Sequence, residues 1–88
     1  MKVQAHAKPV VCDALRWCGD APGLPRWLRV KLRRAEGVLD GRDEGMRLET
    51  AHGPAQLNRG DWVLREPNTG SVWPVRNEDF RTNFEILV

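Results

Sequence analysis

The sequence has few of the residues from which catalytic and metal sites are built. Its 88 residues include two cysteines, two histidines and no tyrosine. His6 stands near the amino terminus and His52 in a predicted turn, and neither belongs to a recognisable nucleophile–base pattern or zinc motif. No glycine-rich phosphate loop precedes a helix. We therefore predict a chain that is not an enzyme and that uses neither a metal nor another cofactor.

Long hydrophobic runs are also missing. The chain contains no stretch of 18 apolar residues, and residues 1–9 lack the apolar segment of a secretory signal. Cys12 and Cys18 stand about 20 Å apart if the segment between them is extended, which is beyond disulfide reach. These features predict reduced thiols, no contact with a membrane and a cytoplasmic location.

Arginine and tryptophan are abundant instead. Eleven of the 14 basic residues are arginine, and the chain has four tryptophans. Residues 1–34 carry eight basic and two acidic side chains, whereas residues 35–88 carry six basic and ten acidic ones. Because arginine makes planar, bidentate contacts with oxyanions, a cluster of arginines in the first part of the chain predicts a contact surface for acidic groups.

The hydrophobic pattern predicts one α+β domain that spans residues 1–88. Residues 10–17 read as a strand, and Leu24–Ala35 carries apolar residues at three- and four-residue steps, which is typical of an amphipathic helix. From Met46 onward, short alternating segments separated by turns predict further strands. A short helix near the C-terminal end is predicted to begin after Asn77, which is its expected N-cap. The expected fold is a small antiparallel sheet of four to five strands with the amphipathic helix packed on one face and the short helix at the C-terminal end. The polar segment 36–45 is predicted to be a mobile loop.

Two stretches, KPVVCDALRWCGD at residues 8–20 and the segment of residues 47–87, resemble a family of small uncharacterised phage and prophage proteins. The first matches a Lys-Pro-Val-Val start followed by an alternating strand that ends at a tryptophan. The second, residues 47–87, contains the Gly-Asp-Trp of residues 60–62, a glycine hairpin and a phenylalanine-containing end, in the family's order. Arg59 and Val75 stand where the family has proline and cysteine. The resemblance implies a phage or prophage origin, hence a bacterial host cytoplasm, and it implies no activity.

The candidate binding residues come from the arginine cluster and one tryptophan. Arg26, Arg29 and Arg33 fall on the polar side of the predicted helix, with Arg34 beside them. Trp73 precedes a proline, which cannot donate to a strand ladder, so we predict that it lies on an edge strand and that, if one tryptophan is exposed, it is Trp73. The other tryptophans are expected in the core, since a domain of this size needs their large apolar area.

These features favour a phage or prophage accessory protein that binds a host protein and alters its action. A second hypothesis is weak nucleic-acid binding through the same arginine face, although the acidic second half of the chain opposes it. A third is an oligomer that sequesters a nucleotide or another small ligand, and a fourth is a structural role in the virion. The sequence leaves these alternatives open.

Overall fold

A computed structural model describes residues 1–8, 10–19, 23–34 and 46–87. They form a mixed α+β fold that is mostly sheet, with two antiparallel sheets and two short helices. The helices are α1 (Arg26–Arg29) and α2 (Asn77–Asn83). The strands are β1 (Lys2–Ala5), β2 (Val11–Arg16), β3 (Leu32–Arg34), β4 (Met46–Thr50), β5 (Gly53–Gln56), β6 (Trp62–Arg65), β7 (Val72–Val75) and β8 (Phe84–Ile86).

The larger sheet has the order β7-β6-β2-β1-β8, and the smaller one has the order β3-β4-β5. Tight turns join β4 to β5 and β6 to β7, as the sequence predicted. Gly53 ends the turn between β4 and β5 with a φ of 102°, and Gly70 precedes β7 with a φ of 76°. Glycine suits both positions because a side chain strains the backbone at positive φ. β7, which contains Pro74, is an edge strand, and this prediction is confirmed.

The hydrophobic core has two parts, one on each face of the larger sheet. Between the two sheets lie the buried side chains of Trp17, Leu28, Leu48, Leu57, Val63 and Val72. Beneath α2 lie those of Val3, Cys12, Ala14, Leu64 and Phe80. Strands that are covered on both faces need apolar residues in consecutive positions, as in the buried pair Val63 and Leu64.

The helix predicted over Leu24–Ala35 is confirmed only at Arg26–Arg29, and its predicted extent is wrong. The helix begins after Pro25 and ends at Arg29, and the chain then becomes strand β3. The Lys31 carbonyl accepts a hydrogen bond of 2.8 Å from the Glu49 amide, and Leu32 pairs with Leu48. Pairing with a distant strand packs the half-buried Leu32 against the core, and this tertiary contact overrides the local helical pattern. Strands at β4 and β5 were predicted, but not β1, β3 or the separation into two sheets. The described residues form eight strands where four or five were expected.

The short C-terminal helix is confirmed, but Asn77 is not its N-cap. The helix includes Asn77, and the N-cap is Arg76. The Asn77 side-chain oxygen instead accepts a hydrogen bond of 3.0 Å from the Trp62 indole. The predicted mobile loop at 36–45 lies outside the described residues.

Candidate functional site

The first two predicted binding residues lie on α1. Arg26 and Arg29 are both exposed and stand three residues apart, which places them on the same side of the helix. Leu28 of the same helix is fully buried in the core between the sheets, so the helix is held with its arginines toward solvent. A four-residue helix is marginal by itself, and its position therefore depends on the packing of Leu28 and half-buried Trp27 against the core.

Arg33 is not on the helix, yet the fold returns its guanidinium to the end of α1. Its Nη1 donates hydrogen bonds of 3.1 Å to the Val30 carbonyl and 2.8 Å to the Leu32 carbonyl. Its Nε lies 4.0 Å from a carboxylate oxygen of Glu49, and both side chains are exposed. The Arg33 guanidinium thus lies at Val30, the residue that follows Arg29, although the helical spacing from which their proximity was predicted does not exist.

A fourth arginine, Arg47, joins this group. Arg47 on β4 is the register partner of Arg33 on β3, and both residues are exposed. Among the described residues, no carboxylate lies within ion-pair distance of Arg47. Like charges directly opposite each other on adjacent strands are destabilising. Alternation along β4 indicated that Arg47 faces solvent, but only the strand register shows that it meets Arg33.

We call Arg26, Arg29, Arg33 and Arg47 the basic surface. Val30 lies within it and is 50% exposed, although it is apolar. Arg34 is the last residue of β3 and pairs in register with Met46. Its side chain lies outside the described part of the structure, so Arg34 stays a prediction.

Trp73 lies on edge strand β7, as predicted, and is half-buried. It packs against the core beneath α2 and lines a cavity on that side of the sheet. Trp17 is fully buried, and Trp27 and Trp62 are partly buried against the core. The expected core cluster of tryptophans is therefore confirmed for Trp17, whereas Trp27 and Trp62 pack at the edges of the two core parts.

The aromatic rings of the second core part are arranged for packing. The Trp62 ring stacks on Phe80 with centroids 3.9 Å apart and an angle of 6° between the planes. The ring centroids of Phe80 and Phe84 are in turn 5.5 Å apart. Because the Trp62 indole also has a hydrogen-bond partner within the chain, this ring is committed to the fold rather than presented to a ligand.

A second charged cluster lies on the face of the larger sheet away from α2. Asp13 forms ion pairs with Lys2 and, at 3.2 Å, with Arg65, whose guanidinium carbon lies 6.0 Å above the Trp27 ring. The hydrogen bond from Lys2 is the main cause that lowers the pKa of Asp13, and Arg65 lowers it further. The cluster joins two cations to one carboxylate, and its two ion pairs connect β1, β2 and β6.

Among the residues that the structure describes, no group of three or more histidine, cysteine, aspartate or glutamate side chains is placed to hold a metal ion. Cys12 is buried and Cys18 is exposed, and both are free thiols. No helix in the described ranges is long and apolar enough to span a membrane.

Comparison with known proteins identified no relative. No protein-family model matches the chain, and no curated protein or solved structure matches it either. The resemblance to phage and prophage proteins therefore remains a prediction from residues 8–20 and 47–87.

Proposed function

We propose that this chain is a non-enzymatic accessory protein of a phage or prophage that binds an acidic region of a host protein through the basic surface. The observation that carries the proposal is the alignment of Arg33 and Arg47 on adjacent strands. In the free protein this alignment is destabilising because like charges face each other, and the Glu49 carboxylate 4.0 Å from the Arg33 Nε offsets some of that cost. A partner carboxylate placed between the two guanidinium groups turns the repulsion into charge-assisted hydrogen bonds.

The exposed apolar residue within the surface favours a protein as the partner. Val30 lies between Arg29 and the Arg33 guanidinium that its own carbonyl binds. Protein interfaces combine arginines with a buried apolar centre, and arginine is enriched among the residues that contribute most to binding. A nucleic-acid backbone offers phosphates but gains little from covering Val30. The affinity of a protein for nucleic acid depends mainly on how many phosphates its lysine and arginine side chains neutralise.

The test is affinity capture of the tagged full chain from a bacterial lysate, with and without nuclease, using matched variants. Arg26→Glu with Arg29→Glu reverses two charges of the basic surface. Arg76→Glu with Arg81→Glu reverses two exposed charges beside and on α2 and serves as the control. We expect one host protein to be retained by the wild type and the control, and to be lost from the basic-surface variant while its circular dichroism spectrum is unchanged.

Two results contradict the proposal. Equal retention by the basic-surface variant shows that the partner binds elsewhere. Loss of all captured material after nuclease treatment shows that nucleic acid is the ligand. In that case the affinity should fall steeply with salt, and the dependence should flatten when arginines of the surface are replaced.

A further inference from the structure

A small cavity of about 250 Å³ lies on the face of the larger sheet that also carries α2, remote in sequence from the basic surface. Ala5 and Cys12, from the adjacent strands β1 and β2, line it from the middle of the sheet. Trp73 and Phe84, from the two outer strands, line it from the sides, and both rings are half-buried. The cavity is therefore mostly apolar and has an aromatic ring on each side.

The cavity is also lined by Glu66, whose carboxylate is held in place by hydrogen bonds. One oxygen accepts a hydrogen bond of 3.0 Å from the Asn68 amide, and the other accepts one of 2.9 Å from the Thr69 amide. These bonds lower the pKa of Glu66 and hold the ionised group at the cavity. Burial raises the pKa of the Cys12 thiol, and the charge of Glu66 raises it further. The negative potential of Glu66 thus reaches the buried side of the cavity.

Lys8 is the other charged residue that lines the cavity, and it differs from Glu66 in how it is held. It is exposed, and no described carboxylate lies within ion-pair distance of its ammonium group. A lysine ammonium on a flexible four-carbon stem can turn toward solvent when another cation enters. The permanent electrostatic character of the cavity is therefore set by the carboxylate.

We infer that this cavity binds a small organic cation of the alkylammonium or quaternary ammonium class, between Trp73 and Phe84 and beside the Glu66 carboxylate. The faces of aromatic rings attract cations within about 6 Å of the ring centroid, and tryptophan does so most strongly. Pockets for drug-sized ligands begin at about 300 Å³, so the cavity selects a smaller guest. The site is independent of the basic surface and of its partner.

The experiment compares three probes that share a branched trimethyl head and differ in charge: choline, its neutral carbon isostere 3,3-dimethylbutanol, and the anion pivalate. Binding to the full chain is followed by two-dimensional NMR of the four tryptophan indole N–H groups. The Trp73 signal is identified by its loss in the Trp73→Phe variant. Choline should shift the Trp73 signal saturably, and the neutral isostere should bind about fivefold or more weakly. Pivalate should produce no shift.

Variants separate the roles of the lining residues. Glu66→Gln and Trp73→Leu should each weaken choline binding about fivefold or more. Glu85→Gln, which removes an exposed carboxylate on β8, is the matched control and should leave the affinity unchanged. Lys8→Ala alters only an exposed side chain and should leave choline binding unchanged or tighter. The inference is overturned if the three probes bind equally, if pivalate binds in preference to choline, or if Lys8→Ala abolishes choline binding.

Discussion

Replacing Arg47 with glutamine should make the protein more stable. The substitution removes one member of the Arg33–Arg47 cross-strand pair and keeps a side chain of similar length. Because both residues are exposed, the repulsion is of the order of 0.5 kcal/mol. For a domain of this size that free energy corresponds to an increase of about 2–4 °C in Tm. Calorimetry or thermal denaturation followed by circular dichroism measures the change.

Salt and a double-mutant cycle test whether repulsion is the cause. At about 1 M salt the Debye length falls to roughly 3 Å, so the gain in stability should nearly vanish. The combined replacement of Arg33 and Arg47 should gain less than the sum of the two single replacements, because either one removes the repulsion. Arg81→Gln, at an exposed position in the last turn of α2, is the control and should give no increase. A Tm that falls in Arg47→Gln at low salt, or a gain that persists at high salt, would refute the reasoning.

The same substitution should weaken binding of the host protein as it increases stability. The proposed partner carboxylate loses one of its two guanidinium contacts, and charge-assisted hydrogen bonds of this kind contribute about 1.5–3 kcal/mol each. Titration calorimetry with the captured partner provides the measurement. Unchanged affinity together with increased stability would mean that the Arg33–Arg47 alignment is a local defect of the fold and no part of the interface.

Three further predictions concern the fold itself. Phe80→Ala removes a buried ring that stacks on the core and should cost about 3–5 kcal/mol, which urea denaturation will detect as a large loss of stability or as an unfolded chain. The pKa of Asp13 is lowered in the folded state, so its ion pairs stabilise the protein fully above the unfolded-state pKa of about 4. This stabilisation is lost as the pH falls through the lower folded-state pKa of Asp13. In the Asp13→Asn variant, the free energy of unfolding should therefore lack this part of its pH dependence. Identical acid-denaturation curves for the variant and the wild type would contradict a stabilising role of the Asp13 ion pairs. A thiol-reactive dye should modify Cys18 rapidly in the native protein and Cys12 only on unfolding, and equal rates would show that the core beneath α2 is open.

Local sequence patterns were sufficient to predict those features of the fold that depend on interactions between neighbouring residues. The turns at Gly53 and Gly70 and the helix that follows Arg76 were predicted from residue types whose conformational preferences act over a few positions. The edge position of β7 followed from Pro74, because proline lacks an amide hydrogen. The concentration of arginines in the first part of the chain is likewise a property of the sequence alone.

The features that the sequence did not predict depend on strand pairing between distant segments of the chain. The spacing of Leu28 and Leu32 fits a helix, and only the pairing of Leu32 with Leu48 makes the second of them a strand residue. The same pairing sets Arg33 opposite Arg47, and the order of the larger sheet places Trp73 and Phe84 at one cavity. Register and sheet order depend on the burial of apolar side chains contributed by the whole chain, and no short segment carries that information.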